Sequence, residues 1–345
     1  MSQVDVFVPC YNYGRYLRGC VESILEQEGV QVRVVILDDC SSDDSSDVGQ
    51  ALAEADQRVE YRRHSVNLGH IATYNEGIDW AEGDYTLLLS ADDQLTPGAL
   101  ARAAGLMDRN PEVGFTYGRV IKTEDPQRET RIIDNYYESK TIKGNEFIEL
   151  CCQGTSYGEN IVPTPTAVVR TTLQKQLGGY RKELPHTGDF EMWLRFAAHA
   201  EVGKVEVEQA YYRFHTNNMF RDYIGVKDIQ QRIEAWDTLF REYGDRLEQH
   251  DRLRRLSRRR TAEAVFWQAS DVFAQGDSAN CQTLLDFALS IDPTLKDWSS
   301  WHRLRIKRAL GLTVWKAVDP LVRRLTGRSE PDSSESLGKS EGVER

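Results

Sequence analysis

Adjacent aspartates follow two apolar runs of the chain. Asp38 and Asp39 come directly after residues 32–37, and Asp92 and Asp93 come shortly after residues 85–89. Each run has the length and composition of a buried strand in a parallel sheet. Because ligands bind outside the carboxyl ends of such strands, the two acidic pairs predict one shared site. Mg²⁺ or Mn²⁺ would relieve the repulsion between these carboxylates, since both ions take oxygen ligands and bridge to phosphate.

The elements that must position these acids alternate between strand and helix over the first 95 residues. Strands are predicted at residues 4–9, 32–37, 59–62 and 85–89. Three helices are predicted between them: one at 15–27, one that ends near residue 55, and one at 71–81. This alternation predicts an α/β fold with a parallel sheet and right-handed crossovers. Further strands are predicted at 113–118, 166–169, 202–207 and 210–215, with helices at 171–177 and 190–198. Thr96 and Pro97 are expected to cap and begin another helix.

The chain changes character near residue 223. Helices are predicted at 227–243, 245–256, 260–275 and 278–290, and residues 329–345 are rich in Ser, Glu and Gly, which is typical of disorder. We therefore expect a catalytic domain over residues 1–222, a helical domain over 223–328 with a basic amphipathic end, and a disordered tail over 329–345.

Composition excludes several classes of function. The net charge of −11 over 345 residues argues against general nucleic-acid binding. The six cysteines have neither the spacing of a metal site nor that of a disulfide framework, so free thiols in a reducing cytoplasm are expected. Neither the glycine-rich dinucleotide fingerprint nor a phosphate-binding P-loop occurs, and no order of Ser, His, Asp or Cys suggests nucleophilic catalysis. No secretion signal and no apolar run of membrane-spanning length are found.

Six blocks in the chain, in this order, resemble the inverting glycosyltransferases of family 2, which have the GT-A fold. The blocks are Val8-Pro9-Cys10-Tyr11-Asn12, Leu37-Asp38-Asp39-Cys40-Ser41, Asn67-Leu68-Gly69, Gly83-Asp84 with Asp92-Asp93, Gly188-Asp189-Phe190-Glu191 and Tyr212-Arg213-Phe214-His215. The resemblance covers roughly residues 4–220.

The resemblance implies roles for these residues. In such enzymes a nucleotide-diphosphate sugar is the donor, and a hydroxyl group is the acceptor. The nucleotide would contact Pro9 and Tyr11 on either side of the base, Asp39 at the base edge and Asp92 at the ribose. A second set would carry the chemistry, with Asp93 and His215 as ligands of Mg²⁺ or Mn²⁺ and Asp189 as the general base.

Two positions depart from the family pattern. Relatives often have an acid two positions before the Asp92-Asp93 pair, where Ser90 stands here, and often have Glu before the base, where Gly188 stands here. The first departure leaves metal binding with fewer protein ligands. Two alternatives stay open: a nucleotidyltransferase that makes a nucleotide sugar, and a non-catalytic relative that binds one. The first is disfavoured because no glycine-rich basic loop follows the first strand.

A basic segment stands out near the end of this acidic chain. Residues 298–328 hold eight Lys or Arg residues and one acid, Asp319, with Trp and Leu residues between them. Such a segment could bind an anionic membrane surface, or its apolar residues could pack on the helical domain. The resemblance adds that acceptors of such enzymes are often lipid-linked glycans of surface polysaccharides or glycoconjugates. The expected location is cytoplasmic, with peripheral binding to the inner face of the membrane as an open alternative.

Overall fold

The computed structural model describes residues 1–126, 137–154, 160–215, 226–311 and 314–315. Within these residues nine strands form one sheet. They are β1 (Gln3–Cys10), β2 (Gln31–Asp38), β3 (Val59–Arg63), β4 (Tyr85–Leu88), β5 (Gln94–Leu95), β6 (Val113–Thr123), β7 (Ser139–Ile142), β8 (Val168–Arg170) and β9 (Glu201–Arg213).

Eleven α-helices lie in the described ranges. They are α1 (Gly14–Leu25), α2 (Ser45–Ala55), α3 (His70–Trp80), α4 (Ala99–Arg109), α5 (Gly144–Gln153), α6 (Thr171–Leu177), α7 (Gly188–Ala197), α8 (Val226–Tyr243), α9 (His250–Ala274), α10 (Ser278–Ile291) and α11 (Ser299–Leu310).

The sheet has the strand order β3-β2-β1-β4-β8-β6-β9-β5, and β7 pairs with β9. The first four strands in this order are parallel, and β6 is parallel to β9. β8 is antiparallel to both of its neighbours, and β5 and β7 are antiparallel to β9. The mostly parallel α/β sheet expected from the sequence is confirmed.

Alternating valines on β1 explain why this strand lies at the centre of the sheet. Val4, Val6 and Val8 are fully buried, and they belong to one core cluster with Leu17 and Ile24 of α1. Asp5 and Phe7, on the opposite face of the strand, are buried as well. A strand that is buried on both faces suits a position between parallel neighbours. This burial sets the position at which β1 ends and the following loop begins.

The breaks predicted within the strand at 202–215 and within the helix at 245–275 are absent, and the predicted helix cap at Thr96 is wrong. Residues 201–213 form a single strand, because Gln209 is buried and bonded through its side chain to Arg102 and to the carbonyl of Ala99. Residues 250–274 form a single helix, in which the buried Ser257 bonds a backbone carbonyl of the preceding turn. Thr96 does not cap α4, since its hydroxyl donates to the carbonyl of Glu208. Two short strands, β5 and β7, were missed.

The chain divides into two compact units. The first contains the described parts of Met1–Leu150 and Val162–His250, and the second those of Cys151–Ile161 and Asp251–Arg345. The domain border expected at residue 222 and the tail expected at 329–345 lie outside the described residues. Among the described helices, none is both long and apolar enough to cross a membrane.

In the second unit, the start of the basic segment packs on α9. The ring of Phe266 lies 5.1 Å from that of Trp298 and 5.8 Å from that of Trp301. Leu304 is 3% exposed, whereas Ile306 is 53% and Leu310 43% exposed. The apolar side chains within residues 298–310 therefore divide between an inner, packed face and an outer, more exposed face.

Candidate active site

Both acidic pairs lie at one edge of the sheet, beyond the ends of neighbouring strands. β1 lies between β2 and β4, and backbone bonding continues past the strands. The amide of Asp39 donates to the carbonyl of Cys10 at 2.9 Å, and the amide of Ala91 donates to that of Pro9 at 3.4 Å. The two acidic pairs therefore follow strands on either side of β1, and their service in one shared site stays a prediction.

The Asp92-Asp93 pair is fixed by a residue 120 positions away. Both aspartates are buried, and the amide of Asp93 closes a turn onto the carbonyl of Ser90 at 2.9 Å. At the end of β9, the amide of Arg213 donates to Asp93 Oδ1 at 2.9 Å, and its Nε donates to the carbonyl of Asp92 at 3.0 Å. Burial, and then the charge of Asp92, raise the pKa of Asp93 well above its usual range. Sequence reasoning did not assign this role to Arg213, although it lies in a recognised block.

His215 reaches the same pair. Its Nε2 lies 3.0 Å from Asp92 Oδ2. The ring is stacked on Tyr16 with centroids 5.7 Å apart, and it meets Tyr13 edge-on at 5.6 Å. The structure therefore places the predicted metal ligand beside Asp92. Metal ligation by His215 stays a prediction.

The two members of the first acidic pair have different roles. Asp38 is fully buried, and it accepts hydrogen bonds from the amide of Ser41 at 2.8 Å and the hydroxyl of Tyr61 at 2.7 Å. These bonds hold the loop that follows β2. Asp38 is therefore a structural residue, and contact of Asp39 with a nucleotide stays a prediction.

Asp39 holds the loop before α3. One carboxylate oxygen accepts the amide of Leu68 at 2.7 Å, and the other accepts that of Gly69 at 2.9 Å. His64 bridges Asp39 and Glu76, with ring nitrogens 2.8 Å and 2.7 Å from the two carboxylates. Burial opposes protonation of His64, but its hydrogen bonds with the two acids outweigh that effect and raise its pKa. Sequence reasoning missed His64 entirely.

An apolar rim surrounds this part of the site. Tyr11 is 50% exposed on the loop after β1, and Val66 and Leu68 are 59% and 53% exposed on the loop before α3. Asn12, at a positive φ of 59°, ties the first loop to the loop after β2 by accepting the amide of Ser42 at 2.7 Å. Exposed aromatic and aliphatic side chains beside a carboxylate suit a flat ring with polar edges.

Asp189 lies in the first turn of α7. Its Oδ2 accepts the hydroxyl of Thr164 at 3.0 Å, and its Oδ1 accepts the amide of Phe190 at 2.7 Å. A side chain at Gly188 would place its Cβ 3.1 Å from the ring of Tyr180, so that ring occupies the space next to the backbone. The crowding explains why glycine suits the position where relatives often have Glu.

Two tyrosines connect Asp189 with the Asp92-Asp93 pair. Burial and the charges of Asp92 and Asp189 raise the pKa of Tyr74 on α3. Burial and the charges of all three aspartates raise the pKa of Tyr212 on β9 to about 12. Both phenols therefore lie within the electrostatic reach of both groups of acids. The charges of the candidate base and of the paired acids therefore act on the same two phenols.

The acids at this site fit a cation that would be held mainly by the phosphates of a bound substrate. Within the described ranges, no group of three or more His, Cys, Asp or Glu side chains could hold a metal by itself, which agrees with Ser90 in place of a third acid. Asp93 is nevertheless buried beside a second carboxylate, an arrangement that a cation stabilises. Mg²⁺ is commonly bound by one or two carboxylates together with substrate phosphates.

Comparison with known proteins identifies the family. Residues 5–158 match the family described as glycosyl transferase family 2. An uncharacterized protein of Mycobacterium tuberculosis is 30% identical over 244 residues, which are 68% of this chain and 75% of that protein. The chain belongs to glycosyl transferase family 2.

Other members of this family extend the comparison. The GalNAc(5)-diNAcBac-PP-undecaprenol beta-1,3-glucosyltransferase of Campylobacter jejuni is 33% identical over 102 residues, or 29% of this chain and 33% of that enzyme. The structure of S. aureus TarS with UDP-GlcNAc superposes with a TM-score of 0.63 at 15% identity, covering 95% of this chain and 93% of that one. The likeness to TarS confirms the GT-A fold of this family 2 glycosyltransferase.

Proposed function

We propose that this glycosyltransferase moves a sugar from a nucleotide-diphosphate sugar to a hydroxyl acceptor with inversion at the anomeric carbon. The observation that carries the proposal is that, besides burial, the charges of Asp189 and of the Asp92-Asp93 pair both raise the pKa values of Tyr74 and Tyr212, which supports one site for all three acids. An inverting transfer needs one carboxylate to take the acceptor proton and a separate place for the departing diphosphate. Asp189 supplies the first, and the paired acids mark the second.

The donor nucleotide would lie over the loops after β1 and β2. Pro9 and the exposed Tyr11 would contact the base, Asp39 its polar edge, and Asp92 the ribose. TarS, which binds UDP-GlcNAc, has the same fold, and this likeness supports a nucleotide-sugar donor. Asp39 already accepts two backbone amides and lies beside His64, so it would meet the base from a fixed position.

We also propose that transfer depends on Mg²⁺ or Mn²⁺. Asp93, with His215 beside Asp92, would hold the ion together with the donor diphosphate. A bound ion would supply positive charge where negative charge develops on the leaving group. The chain's own part is to keep the two carboxylates in place through Arg213.

The acceptor is proposed to be a lipid-linked glycan in the synthesis of a surface polysaccharide or glycoconjugate. The name of the Campylobacter jejuni relative describes an undecaprenol-linked acceptor, and this supports the proposal. On α11, the exposed Ile306 and Leu310 lie one turn apart on the face opposite the buried Leu304, and Arg303 and Arg305 are exposed beside them. This face would bind the headgroups of an anionic membrane.

Hydrolysis of nucleotide sugars without acceptor tests the central proposal. Purified protein would be incubated with UDP-, GDP- and dTDP-sugars and Mn²⁺, and the release of nucleoside diphosphate would be measured. Asp189→Asn keeps the shape of the side chain but cannot take a proton, so turnover should fall by about 10²-fold or more, while donor affinity is retained. Asp271→Asn removes an acid from α9 in the second unit and serves as the control.

Full turnover by Asp189→Asn would show that this residue only begins a helix. Release of pyrophosphate from a nucleoside triphosphate and a sugar phosphate would instead identify a nucleotidyltransferase. Binding of a nucleotide sugar without any turnover would identify a non-catalytic relative.

A further inference from the structure

The side chain of Asp189 has a hydroxyl partner outside its own helix. Thr164 Oγ1 lies 3.0 Å from Asp189 Oδ2, and an ionised carboxylate only accepts, so the hydroxyl donates. The two residues are 25 positions apart, on the 3-10 turn Thr164–Thr166 and on α7. This contact joins the 3-10 turn to α7 at the carboxylate of the proposed general base.

The turn that carries Thr164 is rigid. Prolines at positions 163 and 165 flank the threonine, and Pro165 is buried. The hydroxyl of Thr166 donates to the carbonyl of Pro163 at 2.8 Å and accepts the amide of Gly118 on β6 at 3.1 Å. Because proline restricts the backbone and these bonds tie the turn to the sheet, Thr164 Oγ1 has a fixed position.

The other oxygen of Asp189 is occupied by the backbone. Oδ1 accepts the amide of the next residue, Phe190, at 2.7 Å. With Thr164 on Oδ2, each carboxylate oxygen has a donor, and these two bonds set the plane of the carboxylate. A general base must be held within hydrogen-bond reach of the proton it takes. Small rotations of the carboxylate plane therefore lower the rate of proton transfer.

We propose that Thr164 is the positioning residue of the general base: its hydroxyl fixes the plane of the Asp189 carboxylate and stabilises its ionised form. The proposal rests on the role proposed above for Asp189. The threonine does not touch the reacting atoms and acts only through that carboxylate. The proton taken from the acceptor goes to Asp189, and Thr164 keeps its own.

The three phenols around Asp189 stay neutral over the useful pH range. Tyr74 on α3, Tyr180 before α7 and Tyr212 on β9 face it, and the pKa of each is raised by burial and by nearby carboxylates, including Asp189. All three phenols remain neutral near neutral pH. Asp92 and Asp93 are the other acids in the site. Because the pKa of Asp93 is also raised, a change in the acidic part of the pH profile on altering Thr164 is assigned to Asp189, its hydrogen-bond partner, only where the titration of Asp189 itself shows the same shift.

The test compares two substitutions of the same residue. Thr164→Val keeps the shape and removes the donor, and Thr164→Ser keeps the donor. Turnover of the donor that the hydrolysis panel identifies should fall about tenfold in Thr164→Val with little change in donor KM. The acidic limb of turnover against pH should move to higher pH, because the carboxylate has lost a bond that favours its charged form. Thr164→Ser should restore both.

Thr116→Val is the matched control. The hydroxyl of Thr116 on β6 is buried and has no hydrogen-bond partner among the described residues, so its removal should change neither turnover nor the pH profile. An activity-independent measurement is the titration of the Asp189 carboxyl carbon by NMR, assigned by its loss in Asp189→Asn. Its midpoint should be higher in Thr164→Val than in the wild type.

The outcomes separate the two proposals. If Asp189→Asn is inactive but Thr164→Val matches the wild type in turnover, pH profile and NMR titration, the base stands and the positioning role is wrong. If Asp189→Asn is fully active, the assignment of the base is wrong, and the positioning role falls with it. A loss of turnover in Thr164→Val without any shift in the titration would reduce Thr164 to a packing role and overturn the inference.

Discussion

Asp93 is the residue whose surroundings are hardest to explain without a ligand. It is 4% exposed, beside a second carboxylate, and its pKa is raised well above the usual range by burial and by that neighbour. Such an arrangement is unfavourable for the folded protein alone, and perturbed acids of this kind cluster at functional sites. Arg213 donates its amide to Asp93 Oδ1 and its guanidinium to backbone carbonyls, and its bond and charge lower the pKa of Asp93 without offsetting the other two effects.

The first prediction concerns this acid. Asp93→Asn keeps an oxygen for the amide of Arg213 but removes the charge that would bind a cation. We expect the folded state to persist and the Mn²⁺-dependent part of UDP or GDP binding to disappear in calorimetry. Asp79→Asn, on the exposed side of α3, should bind as the wild type does. Wild-type turnover of Asp93→Asn, or of the native protein in excess EDTA, would contradict the metal role.

The second prediction concerns His64, whose pKa is raised in the folded protein. A histidine with a raised folded pKa stabilises the protein fully below the unfolded value of about 6.5, and this stabilisation is lost as pH rises through the folded pKa. The stability difference between wild type and His64→Gln should therefore be largest at acidic pH and shrink as pH rises. Thermal unfolding across this range measures it. His302→Gln, at an exposed position on α11, should show no such trend.

At the scale of elements, a buried aspartate joins β1, β2 and the turn before β4. Asp5 accepts the amides of Glu82 and Gly83 at 2.7 and 2.8 Å, and the guanidinium of Arg33 at 2.6 and 3.0 Å. These bonds, acting against burial, lower its pKa. The turn in question leads into β4, the strand that delivers the Asp92-Asp93 pair. The position of the site thus depends on an acid at the opposite end of the sheet.

The third prediction follows from this arrangement. Asp5→Asn replaces one accepting oxygen by a donor that faces other donors, so the free energy of unfolding in urea should fall by about 1–3 kcal/mol. Because the folded pKa is lowered, the contribution of Asp5 is present above its unfolded pKa and is lost as pH falls through the folded one. Glu82→Gln is the comparison: its carboxylate lies 4.0 Å from Arg33 but is 80% exposed, so the free energy of unfolding should change much less. Equal stability of Asp5→Asn and wild type would contradict the role of this residue.

At the scale of the whole molecule, residues 298–328 form a strongly basic segment of an acidic chain. Its first apolar residues pack inward on Phe266, and this changes how membrane binding can be tested. Deleting everything from residue 298 would remove Trp298, Trp301 and Leu304 from the packing of the second unit. Substitutions on the outer face of α11 avoid this damage.

The fourth prediction uses such substitutions. Ile306→Ser with Leu310→Ser, and separately Arg303→Gln with Arg305→Gln, should each reduce sedimentation of the protein with anionic liposomes at low salt. Each basic residue near such a surface contributes about 1 kcal/mol. Arg254→Gln with Arg255→Gln removes the same charge from exposed positions on α9 and should sediment as the wild type does. If the native protein does not bind anionic vesicles, this face has another function.

Local patterns in the sequence were enough to predict the α/β architecture. Apolar runs such as residues 32–37 and the amphipathic spacing of α1 depend only on neighbouring residues, so strand and helix could be read directly. The acids at strand ends were also visible, because parallel strands present their carboxyl ends at one edge. The sequence by itself therefore determined the parallel part of the sheet, the edge at which the paired acids lie and the residue types there.

The tertiary structure decided which partners these residues have. Asp38 and Asp39 are adjacent and chemically alike, yet one is bonded to Tyr61 and the other to the loop before α3. Arg213 fixes the Asp92-Asp93 pair from 120 residues away, and Thr164 meets Asp189 from another turn. No local pattern encodes such contacts, since each depends on where two distant segments come to rest after the whole core has packed.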